Sequence, residues 1–295
     1  MSEDRTKRLV VLGCGYVGAA VALEGLVRGW QVTALTRNTA KALLLREEGI
    51  ETVVADLASS DWHDRIAGGA DYVLNCVSSG GGGVEGYRHS YLAGMESALA
   101  WARRTGPAGT LVYTGSTSVY PQGGGVTLDE QAPTADAEGE RPQVLLATEE
   151  RLRTVTEACR RWFVLRLAGI YGPGRHHLLD QVRTGEVAGL GTHHLNLIHR
   201  DDIVRGVMAC FLAPETVRNE VLNLADDGPE RKAEIVRWLA ARLCLPVPRF
   251  TGEPAGGRRA VTPDRRIANA KARALLGWAP RYATFREGYE SLLSR

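Results

Sequence analysis

Apolar positions along the chain recur as short continuous runs followed by helically spaced stretches. Residues 8 to 12, "RLVVL", form a run without alternation, the pattern of a strand buried on both faces of a parallel sheet. Val17, Ala20, Val21, Leu23 and Leu26 then follow at helical spacing until Gly29 ends the pattern, which predicts strand, tight turn and helix. A second run closes in "ALTRN", a third, "ETVVADL", ends at Asp56 and Leu57, and a fourth, "ADYVLNCVSS", leads into four glycines at 80 to 83. Strands that alternate with helices in this way predict an α/β fold: a doubly wound parallel sheet with a smaller C-terminal lobe. Ligands of such sheets bind at the carboxyl ends of the strands, here Gly13, Arg37, Asp56 and Val77.

Gly13, Gly15 and Gly18 stand as G-x-G-x-x-G in the first strand-to-helix turn. The first glycine makes the turn, the second lets backbone approach a diphosphate, and the third lets helix lie close on strand. Backbone N–H groups and the positive end of the helix dipole, at Tyr16 and Val17, complete an anion site. The expected ligand is a dinucleotide, held by Gly13, Gly15, Tyr16, Val17 and Gly18 and then by Arg37, Asn38, Asp56, Leu57 and Val77 along the next strand ends. An acidic residue at the end of the second strand would bind a ribose 2′-hydroxyl, but "ALTRN" offers Arg37, and no acid follows until Glu47. A guanidinium pairs with a 2′-phosphate that a carboxylate would repel. The expected cofactor is therefore NADP, with NAD as the alternative, Arg37 as the 2′-phosphate ligand and Asn38 or Lys41 beside it. A plain surface arginine is the competing account, because only four of the 36 basic residues are lysines.

Composition narrows the function class. The chain of 295 residues is 44% hydrophobic and 24% charged, with no apolar run near the ~18 residues that span a bilayer, so no membrane partner is expected. Its opening, "MSEDRTKRLVVLGCG", lacks the pattern of a signal peptide, and a cytoplasmic location is expected. A net charge of +2 comes without a basic stripe, which argues against nucleic acid. The five cysteines (14, 76, 159, 210, 244) have no metal-ligand spacing, and the pairs His176/His177 and His193/His194 lack the helical spacing of a metal site, so no metal is expected.

From residue 110 onward the chain resembles a known family. "TLVYTGSTSVYP" looks like the fifth strand of the extended short-chain dehydrogenase/reductases, the NAD-dependent epimerase/dehydratase group, and "LDEQAP" looks like their acid-rich loop. "FVLRLAGIYGPGRH", "LNLIHRDDIVRGVMACF", "EVLNLADDGP" and "ANAKARALLGWAPRYATFREGYESLL" follow in that family's order. The resemblance implies a dinucleotide-binding Rossmann domain over residues 1–171, to which the chain returns at about 197–225, and a substrate lobe over 172–295. Asp201 and Asp202 precede an apolar helical stretch as candidate caps, and Gly277 before Pro280 predicts a helix stop.

The same resemblance exposes a loss. Family chemistry uses a Tyr-x-x-x-Lys pair on the helix that here reads "RPQVLLATEERL", with a Ser/Thr hydroxyl at the fifth strand, matched by Ser116. The tyrosine position falls on Arg141 or Pro142 and the lysine position on Leu145 or Leu146, with Glu149 or Glu150 one turn on. No lysine lies between Lys41 and Lys232, and no tyrosine between Tyr120 and Tyr171. Tyr91 replaces the family's helix asparagine. The sequence thus resembles the atypical branch that keeps the cofactor fold without the pair. The catalytic candidates are Ser116, Tyr91 and Tyr171, with Tyr87, His176 and His177 as further proton donors by position. Thr117, Arg175 and His176 are the candidate substrate ligands. The insert 121 to 143 is rich in turn formers and is expected to be a mobile cover. Three readings follow: an NADP-dependent oxidoreductase, epimerase or dehydratase acting on a sugar nucleotide or similar hydroxylated metabolite; a catalytically silent dinucleotide-binding sensor or regulator; and an RNA-associated relative. A homodimer is the candidate assembly.

Overall fold

The computed structural model describes residues 5–121, 123–134, 139–155, 157–252 and 264–294. The chain divides into two compact units. The first comprises Met1–Val119, Gly139–Arg166 and Val204–Leu222, and the second Tyr120–Glu138, Leu167–Ile203 and Asn223–Arg295.

Seven strands form the main sheet: β1 (Arg8–Leu12), β2 (Gln31–Thr36), β3 (Glu51–Val54), β4 (Tyr72–Asn75), β5 (Ala108–Ser116), β6 (Cys159–Leu167) and β7 (Glu220–Leu224). Their order is β7-β6-β5-β4-β1-β2-β3, and β1 to β5 pair in parallel. Leu9 to Leu12 are all buried, as an apolar run in a central strand requires. Register sets Leu12 beside Leu35 and Asn75, Thr36 beside Val54, and Asn75 beside Tyr113, so the carboxyl ends of all five strands share one edge. Helices α1 (Tyr16–Val27) and α2 (Thr39–Glu47) link β1 to β2 and β2 to β3. On the side of the helix Gly94–Thr105, the core packs Trp62 on Trp101 with ring centroids 5.3 Å apart, and each indole N–H reaches a backbone carbonyl, Leu57 and Ile66 respectively. Both indoles are therefore buried with their polar edge satisfied.

In the second unit, the helices His177–Thr184, Lys232–Arg242 and Phe285–Leu293 enclose a core of Tyr171, Leu179, Ile235, Leu239, Phe285 and Tyr289. Gly277 ends the helix Ala270–Leu276 at φ 60°, as the stop signal predicts. Two expectations need correction. The insert 121 to 143 is not a free cover where it is described: Val126–Leu128 pairs in parallel with Arg265–Ile267, and Glu130 accepts the Asn223 N–H at 2.6 Å. Gln122 and residues 135–138 of that insert lie outside the described residues. Asp202 does not cap the helix Arg200–Leu212, because it lies inside the first turn. Its buried carboxylate instead accepts the backbone N–H groups of Arg281 at 2.6 Å and Tyr282 at 3.1 Å.

Candidate functional site

The glycine turn after β1 separates structural need from ligand need. Gly13 sits at φ +83°, and a Cβ there would lie 2.6 Å from the Val77 backbone. A Cβ on Gly18 would lie 2.7 Å from Cys76 Sγ and 2.9 Å from the Gly13 carbonyl oxygen. Both positions are closed to side chains by the protein itself. Gly15 is different: it is exposed, and the nearest atom to a Cβ there is 3.7 Å away. It stands as N-cap of α1 with no capping side chain. Exposed backbone at the positive end of a twelve-residue helix, kept bare where nothing in the protein crowds it, fits a diphosphate.

A cavity of about 390 Å³ opens beside this turn, lined by Gly13, Gly15, Arg37, Asn38, Asp56 and Val77 among others. The strand ends that the sequence pointed to are thus brought together, with Leu57 and Ser78 on the same wall. Val17 and Gly18 are buried in the first turn of α1, behind it. Arg37 has its side chain half exposed, with Nη1 3.6 Å from Asp56 Oδ2. Asn38 is first of all a cap: its Oδ1 accepts the Lys41 N–H at 2.9 Å and begins α2. Burial works to raise the Asp56 carboxyl, but a hydrogen bond from His89 at 3.0 Å, the Ala58 N–H and the Arg37 charge outweigh it and hold the group below the usual carboxylate range. His89 gave no sequence signal. Only tertiary structure brings it to Asp56.

The end of β5 and the helix Glu140–Thr154 carry the next group of sequence candidates. Ser116 Oγ accepts the Ser118 N–H at 3.1 Å, and Thr117 is buried in the following turn. Where the sequence places the lost lysine, Leu145 is buried and Leu146 half-buried. Glu149 is buried one turn on and forms a bidentate ion pair with Arg166. Arg141, one of the two candidate tyrosine positions, lies with its guanidinium carbon 5.3 Å over the Tyr87 ring. The helix packs on the turn Thr117–Val119 and on the segment Arg88–Ala93.

That segment is π-helical, an irregularity that often marks functional sites. It carries Tyr91, whose ring centroid is 5.1 Å from that of Tyr87. Burial, and secondarily Tyr87, push the Tyr91 phenol above its ordinary value, while a hydrogen bond from the Ser79 backbone opposes them.

The remaining candidates belong to the second unit. Tyr171 is buried against Tyr289 and His199, its hydroxyl has no hydrogen-bond partner among the described residues, and burial raises its phenol strongly. A hydroxyl so enclosed is poorly suited to proton transfer. His176 Nδ1 meets Asp180 at 3.0 Å, and His177 meets Gln181 at 2.8 Å, both along one helix. The Arg175 backbone closes a tight turn with Gly172 through two 3.0 Å bonds. Among the described residues, no three His, Cys, Asp or Glu side chains converge as a metal site, and no helix is long and apolar enough to cross a membrane.

Comparison with known proteins gives a consistent picture. A model of the NAD dependent epimerase/dehydratase family matches residues 9–225. Protein YeeZ of Escherichia coli K12 is 26% identical over 269 residues, covering 89% of this chain and 93% of its own. A 3-diazoavenalumate denitrifying reductase of a Streptomyces species is 27% identical, covering 95% and 98%. The structure of MoeE5 in complex with UDP-glucose and NAD superposes with a TM-score of 0.81 at 20% identity, covering 97% of each chain.

Proposed function

The chain belongs to the NAD-dependent epimerase/dehydratase family, and from that membership we propose that it is an NADP-dependent oxidoreductase or epimerase acting on a sugar nucleotide or a similar hydroxylated metabolite, with Tyr91 as its proton donor. The glycine turn and the cavity at the ends of β1 to β4 fit the dinucleotide. Arg37 on the cavity wall, with no acid at the end of β2, supports NADP over NAD.

The observation that carries the reading is the place of Tyr91, on the π-helical segment that packs against the helix Glu140–Thr154, with its ring centroid 5.1 Å from that of Tyr87. The lost lysine would have favoured the phenolate, whereas burial here keeps Tyr91 protonated through neutral pH. Such a phenol is suited to giving a proton rather than taking one. NADPH, when bound, supplies the hydride. As a substrate carbonyl is reduced, its oxygen would gain the Tyr91 proton. Ser116 Oγ, at the carboxyl end of β5, would donate a hydrogen bond to the same oxygen.

Single-turnover absorbance at the nicotinamide band, with a panel of carbonyl substrates, tests this. Tyr91→Phe should lower the rate by about 100- to 10,000-fold, the range for loss of a general acid. Tyr171→Phe should stay near the wild-type rate. An unimpaired Tyr91→Phe variant would remove the assignment. Leu145 and Leu146, standing where a lysine is expected, favour a second reading as a silent dinucleotide sensor. Tight coenzyme binding without turnover of any substrate would support it.

A further inference from the structure

Among the described residues, Arg141 is a cation without an anion. Its guanidinium carbon lies 5.3 Å over the Tyr87 ring, and its side chain makes no ion pair or hydrogen bond to another described residue. Arg88 close by is already neutralised, with Glu85 at 3.5 Å and Glu140 at 3.9 Å. A guanidinium held over a ring still carries five N–H donors, arranged as a fork that matches a carboxylate. Arg141 is half-buried on the first turn of the helix that packs against the Tyr91 segment and the turn after Ser116. Tyr87 joins it directly to Tyr91, whose ring lies 5.1 Å further on.

We infer that Arg141 selects a substrate carrying a carboxylate on the part that lies beside Tyr87 and Tyr91, so that the helix which lost the tyrosine and lysine now reads substrate charge. The inference rests on the proposed function above and narrows its substrate class. Unlike a surface arginine, a cation that a ring keeps in place loses little side-chain freedom on binding an anion.

The test is calorimetry on the NADP-saturated protein with two probes that differ in one group, UDP-glucuronic acid and UDP-glucose. Wild type should bind the acid more tightly by about tenfold, the effect of one charge-assisted contact. Arg141→Gln should bring the two affinities together while coenzyme affinity stays at the wild-type value, and Arg141→Lys should keep part of the preference. Equal affinities in wild type, or a preference that survives Arg141→Gln, overturn the inference and leave the sugar-nucleotide reading standing. Binding of neither probe overturns both. If Arg141→Gln also loses coenzyme, the variant is misfolded, and Arg141→Lys decides by its intermediate or unchanged preference.

Discussion

Glu149 and Arg166 meet through two hydrogen bonds, Nε to Oε1 at 3.0 Å and Nη2 to Oε2 at 2.7 Å, with both side chains almost wholly buried. A Cβ on Gly115 would lie 3.4 Å from Glu149 Oε1, so the pair braces the strand end that presents Ser116. A buried ion pair adds little net stability, but removing one partner strands the other charge in a medium that solvates it poorly. Glu149→Gln should therefore destabilise the protein by about 3–5 kcal/mol, read as a lower urea midpoint at unchanged slope. The double variant Glu149→Leu/Arg166→Met should recover much of that loss. A single variant within about 1 kcal/mol of wild type would show the pair to be solvated.

Gly18 and Gly15 of the first turn should respond differently to a methyl group. Gly18→Ala places a Cβ against Cys76 Sγ and the Gly13 carbonyl, and overpacking of that kind costs about 1–3 kcal/mol. Gly15→Ala meets only an ordinary contact at 3.7 Å and should melt near the wild-type temperature, yet weaken coenzyme binding by about tenfold or more, because the methyl occupies the space of the approaching diphosphate. Melting curves and coenzyme calorimetry on both variants separate the effects. Loss of stability in Gly15→Ala with coenzyme affinity intact would reverse the assignment.

Sequence exposed those parts of the site that local chemistry dictates. The turn of Gly13, Gly15 and Gly18 and the strand ends at Arg37, Asp56 and Val77 were legible because backbone geometry and apolar runs act over a few residues. The lost pair was legible for the same reason, since Leu145 and Leu146 cannot be mistaken for lysine. Long-range partners left no such trace. Val126–Leu128 is a strand only because Arg265–Ile267 lies beside it, and His89 matters only because Asp56 accepts its hydrogen bond. The π-helical turn at Arg88–Ala93 shifts Tyr91 relative to a regular helix, and a change of register within "YRHSYLAGM" has no compositional mark. Asp202 looked like a cap because caps and tethers use the same carboxylate.

Arg37 should decide between the two coenzymes. Its guanidinium is half exposed and only 3.6 Å from Asp56 Oδ2, a contact of little strength that a 2′-phosphate can replace. A charge-assisted hydrogen bond is worth about 1.5–3 kcal/mol, so Arg37→Ala should weaken NADPH by roughly 10- to 150-fold and leave NADH nearly unchanged. Titrations of both reduced coenzymes by fluorescence provide the measurement. Equal losses for the two would make Arg37 a surface residue.

The second unit contains a carboxyl whose charge the fold resists. Asp226 is 3% exposed, and its Oδ2 has no hydrogen-bond partner among the described residues. Burial, with the charges of Asp227, Glu287 and Asp202 adding to it, outweighs the Gly228 N–H and pushes the group up to about 8 from 3.8. The folded protein therefore holds a proton that the unfolded chain releases near pH 4. Its stabilising effect is complete below that pH and declines as pH rises, by about 1.4 kcal/mol per unit, until it levels off near pH 8. Asp226→Asn keeps an oxygen for the Gly228 N–H and cannot ionise. The variant should lose stability less steeply than wild type between pH 5 and 8, a difference read from urea midpoints across that range. Parallel profiles would mean that Asp226 is ionised in the native protein.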